Sequence, residues 1–294
     1  MGNTGIPYLD KVWNPMTGCT PCSIGCQRCY AKRVAETRLR GRAGYPVDEP
    51  FRVVLHPERL DEPLRWRKPQ RVGVCFMGDL SHEDVPSSLV YRVWQIMEAC
   101  PQHTFLVLTK RPQRLVDVLG GASGAGLDPY IAPLPNVWVG VTAESQREAD
   151  ERIPLLLQIP AAVRWVSHEP ALGPVDIEWM LTGTACRECA DWGEIGGEPC
   201  PHHGTSEYDF RAAVLDKAAY ALRPTGAGPP VDTAGLINWV VTGAETGPGA
   251  RPMDLDWARA DRDACAAAGV PFWYKQNELD GVVYNQLTLG HKPC

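Results

Sequence analysis

Four cysteines fall within eleven positions near the start of the chain, where residues 18–31 read GCTPCSIGCQRCYA. They are Cys19, Cys22, Cys26 and Cys29. Cysteine thiolates hold iron–sulfur clusters, and four of them can also close a tetrahedral shell around zinc. Zinc shells of this kind generally draw on two separated pairs, whereas these ligands are crowded on one segment. The pattern favours an iron–sulfur cluster, with a structural zinc site as the alternative.

The last three of these cysteines have the C-x3-C-x2-C spacing of radical S-adenosylmethionine enzymes. Three protein thiolates hold a 4Fe-4S cluster and leave the fourth iron open, so that S-adenosylmethionine can bind it through its amino and carboxylate groups. One electron then cleaves the sulfonium to give a 5'-deoxyadenosyl radical, which abstracts hydrogen from a substrate. The spacing of Cys22, Cys26 and Cys29 predicts this chemistry.

A second group of metal-ligand residues has the pattern C-x2-C-x10-C-x2-H. It comprises Cys186, Cys189, Cys200 and His203, with His202 as a competing ligand. Two chelating pairs separated by a glycine-rich loop predict a knuckle-like Zn2+ site with three sulfurs and one nitrogen, and unliganded thiols are the alternative. A closed zinc shell stabilises the fold around it and does no chemistry itself.

Composition narrows the class of protein. The 294 residues are 44% hydrophobic and 22% charged, which excludes a disordered or collagen-like chain. No apolar run approaches the roughly 20 residues that cross a membrane, and the first ten residues lack a secretory signal. We therefore expect a cytosolic protein with reduced thiols, whose clustered cysteines bind metal instead of forming disulfides.

Basic residues are clustered although the formal net charge is −6. This charge argues against indiscriminate binding of polyanions but allows a local basic channel. Solvated helix faces and loops are the plain interpretation of such runs, and nucleic acid is retained as a candidate substrate. One cluster contains Arg28, Lys32, Arg33, Arg38, Arg40 and Arg42, and the other contains Arg65, Arg67, Lys68 and Arg71.

Short apolar runs alternate with helical patterns along the chain. Strands are predicted at 11–14, 52–55, 72–77, 104–109, 137–142, 163–167, 237–242 and 272–275, and helices at 30–40, 89–100, 111–119, 145–157 and 255–268. This repeat predicts an α/β fold with a full or partial (β/α) barrel of the TIM type, and a doubly wound sheet is the alternative. Residues 1–181 and 236–294 would together form the barrel, with 182–235 as an inserted zinc-binding segment.

Either architecture places the active site outside the carboxyl ends of the strands. Several charged residues follow predicted strands at that edge, although each one alone is more often an ordinary loop charge. They are Asp79, Lys110, Arg111, Glu144, Glu169, Glu245 and Lys275. The stretch TGAETGPGA at 242–250 is rich enough in glycine for its backbone to approach a ligand closely.

These segments resemble a family of phage and bacterial three-Cys-motif proteins of uncharacterised function, which is described as radical-SAM-like. The resemblance covers nearly the whole chain, with the segments in the same order. They are VWNPMTGCTPCSIGCQRCYA at 12–31, FMGDLSHEDVP at 76–86, HTFLVLTKRPQRL at 103–115, LPNVWVGVTAESQ at 134–146, RWVSHEPALGPVD at 164–176, WVVTGAETGPGARPMD at 239–254 and AAGVPFWYKQ at 267–276.

The resemblance implies a different set of cluster ligands. The family pattern of GC, a spacer, SxGC and then xxCYA falls on Cys19, Cys26 and Cys29, while Cys22 stands where the family usually has an aliphatic residue. Cys26 and Cys29 satisfy both patterns. The third ligand therefore remains open between Cys19 and Cys22.

The resemblance also implies roles for the charged residues at the strand ends, because they lie inside matching segments. Arginine and lysine can clamp a carboxylate or phosphate, and the acids can accept from ribose hydroxyls or an amino group. The catalytic candidates are Glu144, Glu169, Glu245, Lys110 and Lys275, and the cofactor-binding candidates are Asp79, Arg111, Arg251 and Gln276. A reductant protein is the implied partner. The chain has KQN where the family more commonly has KQWG.

Overall fold

The computed structural model describes residues 4–119, 133–183, 194–195, 198–201 and 236–287. In this part of the chain the fold is mixed α/β and is built on one large, mostly parallel sheet. The strands are β1 (Lys11–Trp13), β2 (Met16–Thr17), β3 (Val54–Leu55), β4 (Arg71–Val74), β5 (Thr104–Thr109), β6 (Val137–Thr142), β7 (Val163–His168), β8 (Glu194–Ile195), β9 (Glu198–Pro199), β10 (Trp239–Thr242), β11 (Phe272–Leu279) and β12 (Val282–Asn285).

Helices connect most of the neighbouring strands. They are α1 (Tyr30–Val34), which continues as a π-helical segment (Ala35–Leu39), α2 (Ser87–Glu98), α3 (Pro112–Leu119), α4 (Gln146–Leu156), α5 (Glu178–Thr182) and α6 (Leu255–Ala268). The ends of α6 show the local signals that define a helix. The side chain of Asp254 accepts a hydrogen bond from the amide of Asp256, and Gly269 ends the helix with a φ of 67°.

The large sheet follows the order of the sequence. Its strands are arranged β1-β4-β5-β6-β7-β10-β11-β12, and every neighbouring pair is parallel except β11 and β12. A doubly wound sheet reverses its strand order at a switch point. No such reversal occurs among the described strands. Because seven of the eight strands run parallel, their carboxyl ends lie at one shared edge of the sheet.

The two faces of this sheet are packed differently, since alternate residues point to opposite sides. On one face, valines such as Val139, Val166 and Val240 join the core formed with the helices. The other face carries four tryptophans around Tyr8. The ring of Tyr8 lies edge-on to Trp239, with 5.2 Å between centroids. The tryptophans are Trp138, Trp165, Trp239 and Trp273.

Most predicted elements are confirmed. Strands 104–109 and 137–142 and helix 255–268 have the predicted bounds, and β1, β4, β7, β10, β11, α2, α3 and α4 overlap their predictions. None of the helices within the described ranges combines the length and the apolar character that a membrane crossing needs.

Two element predictions need correction. The strand predicted at 52–55 is not part of the large sheet: only Val54–Leu55 is extended, and it pairs antiparallel with Met16–Thr17. An extended run of two residues can make its backbone hydrogen bonds within this local two-stranded ribbon. The helix predicted at 30–40 is α-helical only to Val34 and then widens into the π-helical segment, which ends at Leu39.

Candidate functional site

The cysteine loop, residues 18–29, lies at the shared carboxyl edge of the parallel strands. Gly18 forms a bridge with Gly78, in the loop that follows β4, and its amide donates to the carbonyl of Met77 at 2.9 Å. The amide of Cys19 donates to the carbonyl of Phe51 at 3.1 Å. These backbone contacts hold the start of the loop beside the ends of β1 and β4.

The four thiols of this loop differ in exposure and partners. Cys22 is exposed, whereas the other three are half-buried. A hydrogen bond from Cys22 holds the pKa of the Cys26 thiol well below its usual range and raises the pKa of Cys22 itself. Burial raises the pKa of Cys19 to about 11. Cys29 immediately precedes α1, which begins at Tyr30.

Within the described ranges, no three His, Cys, Asp or Glu side chains converge closely enough to hold one metal ion. A four-iron cube keeps its cysteine ligands further apart than one tetrahedral ion does, because each sulfur binds a different iron. The spacing of the thiol sulfurs is therefore the geometric quantity that distinguishes the two kinds of site.

The second predicted metal site lies mostly outside the described residues. Cys186, Cys189, His202 and His203 fall there, while Cys200 is described and is 3% exposed. The strands β8 and β9, just before Cys200, pair as a short antiparallel hairpin.

Glu144, which follows β6, is the buried anion at the centre of the edge. Its carboxylate accepts from Ser23 of the cysteine loop at 2.5 Å, from Arg152 of α4 at 2.8 Å, and from the amine of Lys110. Burial would raise the pKa of Glu144, but Lys110 and Arg152 outweigh it and the pKa lies below its usual value. A Cβ on Gly25 would lie 2.4 Å from a Glu144 oxygen, so only glycine allows this approach.

Asp79, which follows β4, is committed to the protein's own backbone and side chains. Its carboxylate accepts from the hydroxyl of Thr109 at 2.8 Å, the amide of Ser81 at 2.9 Å and the amide of Lys110 at 3.1 Å. A guanidinium nitrogen of Arg111 lies 3.6 Å away. Asp79 therefore joins the end of β4 to the end of β5.

Arg111, which follows β5, holds the start of the cysteine loop. Its guanidinium donates to Cys19 Sγ at 3.3 Å and to the carbonyl oxygen and hydroxyl of Thr20 at 2.9 and 3.0 Å. Buried His82 contacts the same hydroxyl, with Nε2 at 2.8 Å. Since the amide of Asp84 donates to His82 Nδ1, the Nε2 atom is the donor to Thr20 in the neutral ring.

Arg251 holds the other half of the loop. It donates to both carboxylate oxygens of Glu245, at 2.6 and 3.1 Å, to the carbonyl of Ile24 at 3.1 Å and to the side chain of Gln27 at 3.4 Å. These hydrogen bonds from Arg251 lower the pKa of Glu245. The pair links the segment after β10 to the cysteine loop.

Glu169 and Lys275 form a half-exposed ion pair above the tryptophan face. Lys275 Nζ donates to Glu169 at 2.5 Å, and the side chains are 20% and 18% exposed, Glu169 first. The amine also lies 5.8 Å from the centre of the Tyr8 ring. Next along β11, the buried side-chain oxygen of Gln276, Oε1, has no hydrogen-bond partner among the described residues.

The structure thus brings together most of the residues that the sequence singles out. Arg111, Glu144, Glu245 and Arg251 contact the cysteine loop directly, whereas Asp79 and Lys110 reach it through Arg111 and Glu144. Glu169, Lys275 and Gln276 form a separate group further along the edge.

Sequence reasoning missed four residues that complete the contacts: Ser23, Thr20, His82 and Arg152. Ser23 and Thr20 lie between the cysteines, which could have identified them, whereas Arg152 looks like any helix-surface arginine.

Comparison with known families identifies one match. A family model described as a protein of unknown function, DUF5131, matches residues 3–281. Neither the curated proteins nor the solved structures gave a match. Because the match spans nearly the whole sequence, including the cysteine loop and every parallel strand of the large sheet, the chain belongs to the DUF5131 family.

Proposed function

We propose that this protein is a radical S-adenosylmethionine-type iron–sulfur enzyme whose cluster is held by the cysteine loop. The observation that carries the proposal is the position of the loop: four thiols lie at the carboxyl edge of the parallel strands, surrounded by charged residues from the other strand ends. Ligands at that edge are the rule in parallel α/β folds.

The strand order supports a partial (β/α) barrel as the scaffold. Consecutive parallel strands in sequence order, with helices packed on one face, are what a barrel requires, and the other face would form its interior. The four tryptophans and Tyr8 fill that interior below the site.

Cys19, Cys26 and Cys29 are the preferred ligands in this proposal. These three cysteines match the GC, SxGC and CYA pattern of the family that the sequence resembles, and Arg111 holds Cys19 at the start of the loop. Cys22 is the exposed thiol of the four. Cys22 then serves as a donor to the Cys26 sulfur. When bound, a 4Fe-4S cluster with S-adenosylmethionine supplies a 5'-deoxyadenosyl radical for hydrogen abstraction.

The surrounding residues divide into two roles. Asp79, Arg111, Glu144, Glu245 and Arg251 have their charges satisfied within the protein, so they position the loop. Glu169, Lys275 and Gln276 are less committed: the ion pair reaches solvent, and the side-chain oxygen of Gln276 has no hydrogen-bond partner among the described residues. We assign this second group to bind the polar groups of S-adenosylmethionine or substrate, with Lys275 Nζ as a proton donor.

Anaerobic reconstitution with iron and sulfide tests the proposal. We expect about four irons per chain and reductive cleavage of S-adenosylmethionine to 5'-deoxyadenosine. Cys26→Ala should abolish both. Cys265→Ala is the matched control, because Cys265 is a buried thiol of α6 and should leave both unchanged. A protein that holds a complete cluster but never cleaves S-adenosylmethionine would refute the proposed enzyme activity.

The alternative is a non-catalytic binding protein stabilised by zinc. The loop holds four free thiols, which is the number that a closed tetrahedral zinc shell needs. Zinc in place of iron in colourless, anaerobically purified protein would support this alternative. The enzyme proposal further includes a cytosolic location and a reductant protein as electron donor.

A further inference from the structure

A strip of cations begins where the cysteine loop ends. It consists of Arg28, Lys32, Arg33, Arg38, Arg40 and Arg42, and we call it the arginine strip. Residues 28–42 hold these six cations and one acid, Glu36, in a chain whose net charge is −6. Such a concentration of one sign produces a local positive potential that the whole-chain charge conceals.

Protein carboxylates neutralise little of this strip. Lys32 lies 3.9 Å from Glu36, and Arg28 lies 3.7 Å from Glu245. Among the described residues, Arg33 and Arg40 donate only to backbone carbonyls, those of Thr246, Glu36 and Val47. Arg38 and Arg42 are exposed, and neither has an ion pair with a carboxylate in the described part of the chain.

A surface cleft runs along the strip. It is lined by Arg33, Val34, Thr37, Arg38 and Pro248, so the end of α1 and the π-helical segment form one wall and the glycine-rich segment after β10 forms the other. The cleft depends on glycine: a Cβ at Gly247 would lie 1.6 Å from a guanidinium nitrogen of Arg33. Because φ at Gly247 is also positive, at 103°, this position suits glycine on both counts.

We propose that the arginine strip binds the phosphate backbone of a nucleic acid and so presents it to the cysteine loop. Five of its six cations are arginine, whose planar guanidinium forms paired hydrogen bonds with phosphate oxygens. The cations run from the end of the cysteine loop along two helical segments and into the turn after them, which suits a chain of phosphates better than one small anion. Arg28 adjoins Cys29, so the bound strand would pass directly beside the site.

The alternative polyanion, an acidic lipid surface, fits less well. Membrane-surface helices insert an apolar face between the lipids. Here the apolar face of the helical segment is already covered, because Ala31 and Ala35 are buried against Tyr45 and Phe51. Apart from Tyr30, the exposed side chains of this segment are charged or polar, and such side chains contact phosphates without insertion.

The inference names the substrate class of the proposed enzyme and in that sense rests on the proposed function, but binding can be measured whether or not the cluster reacts. Fluorescence anisotropy of the full-length protein with labelled single-stranded and duplex DNA of about 20 nucleotides is the direct assay. Its salt dependence reports how many phosphate contacts are made. If binding holds while S-adenosylmethionine cleavage fails, only the enzyme proposal is lost.

The decisive variant is Arg38→Gln with Arg42→Gln, which removes two exposed cations. We expect about tenfold weaker binding at about 0.05 M salt, and a salt slope lower by about 1.4 for a single strand. The matched control is Arg65→Gln with Arg67→Gln, which makes the same charge change beside Trp66 and the start of β5. The control should bind as the unchanged protein does.

Three results would overturn the inference. One is an equal loss of affinity in both double variants, since that would reflect net charge alone. Another is displacement of the DNA by pyrophosphate at equal concentration, because a single small anion would then suffice. The third is binding to phosphatidylserine vesicles with no binding to either DNA.

Discussion

Glu144 shows what a residue-level prediction from sequence can and cannot contain. A carboxylate directly after a buried strand of a parallel sheet was a reasonable catalytic candidate, and the structure does place it at the edge with the cysteine loop. The sequence does not predict the position of Arg152, whose side chain turns inward from α4 to reach Thr142 and Glu144. Lys110 contacts the same carboxylate, so Glu144 has a structural role: it holds the cysteine loop in position.

Replacing this anion should therefore cost stability. Glu144→Gln leaves the buried guanidinium of Arg152 and the amine of Lys110 without their negative partner, and we expect a loss of about 3 kcal/mol in the free energy of unfolding. Urea denaturation measures it. Glu151→Gln on α4 removes the same charge from an exposed position and should change the value by less than about 0.5 kcal/mol.

The stability difference between wild type and Glu144→Gln should also depend on pH, with a defined sign. Since the folded-state pKa of Glu144 lies below its usual value, its contribution is fully present above about pH 4.3 and is lost as the pH falls through the folded-state pKa. The stability gap between wild type and Glu144→Gln should narrow in acid. A gap that is constant down to about pH 3 would show that the carboxylate's charge is not what stabilises the fold.

At the scale of elements, the sequence predicts well where one pattern decides the outcome. β5 and β6 are continuous apolar runs, and α6 has both an aspartate cap and a terminal glycine, so their bounds agree with the prediction. The prediction is wrong at 52–55, because which strand a two-residue extension pairs with depends on the chain around it. No periodicity marks the widening of the helix after Val34.

Helix α6 is docked to the sheet by a buried polar contact that the sequence did not reveal. Asp261 accepts from the hydroxyl of Thr242 on β10 at 2.6 Å and lies 2.7 Å from Nδ1 of His168 on β7. Asp261→Ala would leave both groups buried without this partner, and we expect a loss of about 2–4 kcal/mol. Thermal or urea unfolding measures it.

The control on the same helix is Asp263→Ala, whose side chain is exposed and pairs with Arg262. A loss as large in this control would point to helix propensity instead of docking. A double-mutant cycle of Asp261→Ala with Thr242→Val separates docking from helix propensity further. The losses in the free energy of unfolding should couple by about 1 kcal/mol if the hydroxyl and carboxylate interact, and should be additive if they do not.

At the scale of the whole molecule, the two faces of the sheet do different work. The helix-covered face is an ordinary aliphatic core, whereas the opposite face depends on a few large rings that meet from distant parts of the chain. Tyr8 packs edge-on against Trp165, Trp239 and Trp273. The sequence shows these aromatic residues but not that the segment before β1 folds across the sheet to reach them.

This arrangement makes Tyr8 a support for the floor of the site, since Lys275 lies just above its ring. Tyr8→Ala should lower the free energy of unfolding by about 3–4 kcal/mol, because it leaves a cavity among the tryptophans. Water entering that cavity should shift the tryptophan emission of the folded protein to longer wavelength. Tyr8→Phe keeps the ring and should retain the wild-type spectrum. Unchanged emission in Tyr8→Ala would mean that the tryptophans are sealed by their mutual packing, and that the segment before β1 does not hold up the site.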